Sequence, residues 1–157
     1  MTTFAITGTR KAEVRTETEL EALFRRFVGP FADPAAHAYL GGAAGIDTLA
    51  LSWLARNTES LITVAVPVRV AEQPRPAQVE IAAAARAGRL HELVELGHPA
   101  GLGDPAYNAR HRWLVDRAEL LIGFPLTTED DGSGTWYTLG YAARQGIPRL
   151  IVSLAHS

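Results

Sequence analysis

Cysteine is absent from the 157 residues. Its absence excludes disulfides, thiolate nucleophiles, thiolate zinc sites and cysteine-held iron clusters together, and it suits a reducing compartment. No apolar run approaches the roughly 18 residues that a membrane helix needs. The first basic residues, Arg10 and Lys11, follow the opening apolar stretch, the reverse of the order in a secretory signal. A soluble, cytoplasmic protein without membrane attachment is expected. Net charge is nearly absent too, since 15 basic side chains against 17 acidic ones leave −2. Coating nucleic acid by bulk electrostatics needs more than that, although a local basic patch fits the balance. Lysine occurs once, at Lys11, and the other basic residues are arginines. The arginine fork suits bidentate recognition of phosphate, but codon bias produces the same ratio. The histidines, His37, His91, His98, His111 and His156, show no His-x-x-x-His spacing, so no metal site is expected. No Gly-x-Ser-x-Gly elbow occurs, and Ser133 between two glycines does not supply one.

What is present is a well-mixed chain, 47% hydrophobic and 20% charged, that suffices for one domain over residues 1–157. Its apolar periodicity alternates between two kinds of segment. Strand-like runs occur at Phe4–Ile6, His37–Leu40, Leu61–Val66, Leu90–Leu96, Leu120–Phe124 and Leu150–Val152. The third is apolar on both faces, which belongs inside a covered sheet. Between the strands, helices are expected from Thr16 to Gly29-Pro30, from about Ile46, from Val79 to Ala87, from about Ala106 to Arg117, and from Gly134 to Gly146. Thr16 with Glu19 is a capping-box pair, and Leu20, Leu23, Phe24 and Phe27 share one face of the first helix. Arg69 to Pro76 and Gly97 to Pro105 are expected as loops. This alternation predicts an α/β fold: a single Rossmann-like, three-layer α/β/α domain with a mostly parallel sheet. In such sheets ligands bind beyond the C-terminal strand ends, where the strand order reverses.

Three of the loops that follow strands are unusual. Gly8, Thr9 and Arg10, with Thr7 and Lys11, combine small residues, hydroxyls and a guanidinium directly after the first strand. They serve a phosphate or a plain turn equally well. Gly41, Gly42, Ala43, Ala44, Gly45, Ile46 and Asp47 join the second strand to its helix with almost no side chains in the way. Free N–H groups at a helix start attract an anion, while close helix–strand packing also selects glycine. The spacing matches neither the dinucleotide fingerprint nor the P-loop. Gly132, Ser133, Gly134 and Thr135 repeat the same physics before the last helix. Two such turns in one domain favour a phosphorylated ligand more than either alone.

On the helix before the fifth strand, Asn108, Arg112 and Asp116 share a stripe, with Arg110 on a different face. Asn108 and Arg112 are candidate ligand contacts, whereas Arg112 and Asp116 also suit a weak surface ion pair. The run Glu129, Asp130, Asp131 offers carboxylates for acid–base work or reads as a solvated acidic loop. Trp53, Trp113 and Trp136 are expected in the core or at a dimer interface, and Trp136 alone is near enough to a glycine turn to stack on a base.

In this order, Gly8-Thr9-Arg10, the Gly41–Asp47 turn, Asn108 through Arg112 and Gly132–Thr135 resemble the SLOG superfamily of Rossmann-like nucleotide-binding domains. Its members include the DprA proteins and the LOG (Lonely Guy) phosphoribohydrolases. Gly45-Ile46-Asp47 looks most like DprA, and Arg110-His111-Arg112 resembles its Arg-Asn-Arg. The stretch from Leu121 to Pro125 and on to Thr135 looks equally like the small stand-alone members. The resemblance implies a parallel sheet, a phosphate-bearing ligand over the glycine turns, and frequent homodimers. One departure bears on activity, because LOG-type enzymes carry a glutamate where this chain has Thr138.

The expected function is therefore binding of a nucleotide or related phosphorylated ligand, as a sensor or carrier module, with no cofactor required and no catalytic residue identified. Gly8, Thr9, Arg10, Gly41, Gly42, Ala43, Gly45, Asp47, Asn108, Arg112, Gly132, Ser133, Gly134 and Thr135 are its candidate site. Arg10 and Arg112 would neutralise phosphate, and Asn108 would orient the ribose or base. One alternative is a nucleotide N-glycosidase in which Glu129 or Asp131 replaces the missing glutamate. Another is a single-stranded DNA-binding domain, which needs a continuous basic surface such as Arg10, Lys11, Arg15, Arg25 and Arg26.

Overall fold

The computed structural model describes residues 2–155, so His156 lies outside the described part. Six strands form one sheet: β1 (Thr3–Gly8), β2 (His37–Gly41), β3 (Leu61–Val66), β4 (Glu92–Glu95), β5 (Leu120–Phe124) and β6 (Arg149–Ile151). Their order is β4-β3-β2-β1-β5-β6, and every pairing is parallel. Phe4 pairs with Ala38 on one side and Leu120 on the other, which fixes β1 at the centre. The chain moves outward from β1 to β4, then returns across it to β5. Strand order thus reverses between β1 and β5, and their C-terminal ends diverge there.

Five helices connect the strands: α1 (Glu17–Phe27), α2 (Ile46–Asn57), α3 (Arg75–Arg86), α4 (Asp104–Asp116) and α5 (Gly134–Arg144). Right-handed crossovers put the helices of the outward and return paths on opposite faces. Strand alternation supplies both faces with apolar side chains. Phe4, Ile6, Leu40, Ile62, Val64, Ile122 and Phe124 join the core under α1–α3. Ala5, Ala65 and Leu121 point the other way, toward Leu114, Val115 and Leu139 of α4 and α5. No helix of the described residues is long and apolar enough to cross a membrane.

Most expected elements stand where the periodicity puts them, and two helices start early for one reason. Helix α3 begins at Arg75 and α4 at Asp104, several and two residues ahead of expectation, with Pro76 and Pro105 inside their first turns. Proline's missing N–H is one of the unpaired donors of a first turn anyway, so these prolines start helices and end no loop. β4 is shorter than the run from Leu90 to Leu96, as an edge strand with one neighbour can be.

The Thr16 hydroxyl accepts the Glu19 N–H and the Glu19 carboxylate accepts the Thr16 N–H, both at 3.1 Å. This closed box starts α1. Thr16→Ala is expected to cost about 1 kcal/mol of unfolding free energy by urea titration, without changing the m-value.

Candidate functional site

A cavity of about 490 Å³ opens at the divergence of β1 and β5, on the C-terminal side of the sheet. That volume suits a small organic ligand. Four segments wall it: Thr7 to Lys11 after β1, Ala43 and Asp47 after β2, the N-terminal part of α4, and the loop from β5 into α5. Of the residues expected from sequence, Gly8, Thr9, Arg10, Ala43, Asp47, Asn108, Gly132, Ser133, Gly134 and Thr135 line it.

Gly41, Gly42, Gly45 and Arg112 are not in the lining. Gly42 faces the core, where an added Cβ would lie 2.6 Å from Val66. Gly45 has φ +77°, and a side chain there would overlap the backbone of Thr9 and Arg10. The Ile46 N–H donates to the Thr9 carbonyl at 3.1 Å and the Ala43 N–H to Asp47 Oδ2 at 3.3 Å. Of these two donors, Ile46 is spent on locking α2 to the loop after β1 and Ala43 on the turn's own Asp47. Arg112 is exposed and donates to the Tyr137 hydroxyl at 2.8 Å, while Asp116 accepts from Tyr141 at 2.6 Å. Both ends of the expected ion pair thus take tyrosine partners.

At the start of α5, Ser133 is the N-cap and accepts the Trp136 N–H at 3.3 Å. The Gly132 and Ser133 N–H groups donate to Asp130 and Asp131 at 2.9 and 3.0 Å. Left for a ligand are the N–H groups of Gly134 and Thr135, on the positive end of the helix dipole. The Asp131 carboxylate is held below its usual pKa by its bonds to Ser133. Glu129 is exposed and outside the lining, and the Thr138 hydroxyl is buried against the Gly134 carbonyl at 2.8 Å. Trp136 donates to the Thr127 carbonyl and packs on the second core, and the aromatic groups facing the cavity are Tyr107 and Tyr137.

The floor holds what the sequence reading missed. Arg110, on α4, is 1% exposed, and its Nε and Nη1 have no hydrogen-bond partner. Asp47 is 6% exposed and lines the same floor. Gly41 leaves the space between them clear, since a Cβ there would sit 2.6 Å from Arg110 Nη1 and 2.9 Å from Asp47 Oδ2. Burial pushes the Asp47 carboxyl up to about 7, against the pull of Arg110, the Ala43 N–H and Arg10. Burial also lowers Arg110, and Asp47 opposes that shift. His111 is pushed well below its ordinary pKa by burial and by Arg110 and Arg10, so its ring is neutral at pH 7, and its buried Nδ1 has no partner. A Cβ on Gly134 would lie 3.2 Å from His111 Nε2, which brings α4's buried pair to the start of α5.

The signal for Arg110 was in the pattern. Ala106, Arg110 and Leu114 are spaced by four and all are buried, so a guanidinium occupies a core position of α4. At the mouth, the Arg10 guanidinium lies 4.9 Å from the Tyr107 ring centroid. The basic residues that the DNA-binding alternative needs are spread along α1 and the loop before it. Arg15 pairs with Glu19 at 3.1 Å, and Arg25 and Arg26 are at the other end of α1, roughly 15 Å from its start. Among the described residues no three His, Asp or Glu side chains are grouped as a metal site.

No family model and no curated protein matches the chain. Among solved structures it is similar to DNA processing protein A from Helicobacter pylori, described for its single-stranded DNA binding mode. The TM-score is 0.67 at 19% identity, over 96% of this chain and 64% of that one. The likeness shows the Rossmann-like fold, and the chain spans less than two thirds of that protein.

Asp47 gives the site a measurable signature. Between about pH 4 and 7 the folded chain holds a proton that the unfolded chain, near the ordinary aspartate value of 3.8, has lost. Stability from this group therefore falls as pH rises through that window. Asp47→Asn is expected to flatten the slope by up to about 1.4 kcal/mol per pH unit, read from urea unfolding at pH 4.5 to 7.5. Identical slopes in the two proteins would overturn the assignment.

Proposed function

We propose that this domain binds a nucleotide or a related phosphorylated ligand in the cavity between β1 and β5. The observation that carries the reading is Arg110, a buried guanidinium with two unpartnered N–H-bearing nitrogens on the cavity floor. Burying a cation away from water costs several kcal/mol unless charge and hydrogen bonds compensate. A phosphate between Arg110 and the first turn of α5 supplies both. It accepts from Arg110 and from the Gly134 and Thr135 N–H groups, and it meets the helix dipole at its favourable end. Arg10 and Lys11 add positive charge from the loop after β1, and Tyr107 and Tyr137 offer ring faces to a base. Asn108, also in the lining, supports the ribose or base contact expected of it.

A second reading is supported by the fold likeness to a single-stranded DNA-binding protein and by the Arg10–Tyr107 pair at the mouth. In it, the cavity takes one nucleotide of a strand. The two readings differ in salt dependence, which steepens with each phosphate neutralised. One buried phosphate gives a shallow slope, and a bound strand a steep one.

Thermal unfolding against a panel of mono-, di- and cyclic nucleotides tests the main reading, because a ligand of the folded state alone raises Tm. At a hundred times Kd the gain is about 2.7 kcal/mol. Arg110→Lys keeps the charge and loses the fork, and it is expected to weaken binding at least tenfold. No shift with any nucleotide at millimolar concentration overturns the proposal.

A further inference from the structure

The floor of the cavity presents an arriving anion with a carboxyl group as well as a guanidinium. Asp47 and Arg110 face one another over Gly41, both almost fully buried, with one backbone donor, the Ala43 N–H, on the carboxylate. An anion seated on Arg110 places a second negative charge beside the buried Asp47. Two like charges at one buried position favour protonation of the weaker acid. We propose that the anionic end group of the ligand enters the Arg110 site together with one proton, which Asp47 takes up. The inference rests on the reading of the cavity as a phosphate site and fixes the charge class of its ligand: an end group that is already fully ionised, exchanged against the Asp47 charge.

The surrounding groups leave Asp47 as the acceptor. Arg110 of α4 and Arg10 of the loop after β1 act on Asp47, and Tyr107, His111 and Lys11 line the same cavity. His111 is held neutral by its burial and by the nearby guanidinium groups, and an incoming anion meets that ring with its charge unchanged near pH 8. Asp104 and Asp131 bring negative charge from the rim, and Asp131 is kept ionised by its bonds to Ser133. Asp47 alone combines a floor position with a proton affinity in the neutral range.

Sulfate is the probe, because it does not titrate near neutral pH. Calorimetry of sulfate binding in two buffers of different ionisation enthalpy counts the protons exchanged. Uptake is expected to approach one per sulfate at pH 8 and to vanish below pH 6. Sulfate affinity then falls toward tenfold per pH unit between pH 7.5 and 8.5. Asp47→Asn mimics the protonated side chain, so it binds without proton uptake and keeps at pH 8.5 the affinity that the unaltered protein has at pH 6. Infrared difference spectra of the unaltered protein provide a readout independent of any variant, namely a protonated-carboxyl stretch that grows on adding sulfate at pH 8. A nucleoside without phosphate binds with no proton exchanged. Sulfate binding without proton uptake overturns the proposal while leaving the phosphate site intact. Uptake that persists in Asp47→Asn overturns it as well. Failure of sulfate and every nucleotide to bind removes the phosphate reading itself.

Discussion

A guanidinium in a protein interior has to be compensated, and the arrangement around this cavity follows from that requirement. Desolvating such an ion costs several kcal/mol, and neutral packing returns none of it. Arg110 is nonetheless at 1% exposure, with two nitrogens unpaired. Its compensation within the chain is partial. Asp47 supplies opposite charge, but it is itself desolvated, to the point that its carboxyl is driven up to about 7. A pair in which each member is strained by burial is poised for a third partner. On the proposed reading, stability is given up at this floor to keep a site organised in advance of its ligand.

The glycines around the cavity divide into two kinds of work. Gly8, Gly41 and Gly45 bring elements together: their missing side chains let Ile46, the Arg110–Asp47 pair and the Thr9–Arg10 backbone occupy the space. Gly132, at φ +79° with open space around it, turns the chain so that α5 starts with its N–H groups at the cavity. The β1 loop and the α2 start are thereby one rigid wall, bonded through Ile46 and Thr9, and α5 is the wall that presents free donors. A glycine-rich turn before a helix is thus no uniform sign of anion binding. What decides is whether its N–H groups already have acceptors, and here the Gly41–Asp47 turn has given its Ala43 and Ile46 donors to Asp47 and Thr9, while Gly134 and Thr135 keep theirs.

Physical reasons separate what was legible in the sequence from what was not. The alternation of buried strands with amphipathic helices is a local signal, and it yielded the α/β fold with a mostly parallel sheet and the three loops that wall the cavity. The strand order and its reversal between β1 and β5 came from the structure. Helix starts at Arg75 and Asp104 were hidden because proline at a first turn looks like proline in a loop. The site was half legible. Small, hydroxyl-bearing loops announce themselves by composition, which is why Thr9, Ser133 and Thr135 could be picked. On α4 the polar stripe draws the eye to Arg112, whereas the informative face is the apolar one of Ala106 and Leu114, with the charge of Arg110 set between them. Tyr107 and Tyr137 carry no motif, and only the meeting of α4 with α5 brings them to one cavity.

A buried charge in an apolar stripe is a stronger pointer than a glycine turn because the two differ in what their absence of function would cost. A glycine turn without a ligand costs a fraction of a kcal/mol per residue in chain entropy, and packing recovers it. An unpaired guanidinium without a ligand carries its desolvation penalty in every folded molecule, and a leucine in its place would remove that penalty. Selection for stability alone would not hold an arginine at this position. The same logic extends to Asp47, whose raised pKa measures the destabilisation it brings at neutral pH. Two destabilising groups placed face to face, over a glycine that clears the space between them and beside a helix start with free donors, share one explanation under the proposed reading: each is held in readiness for a charge that the chain itself does not contain.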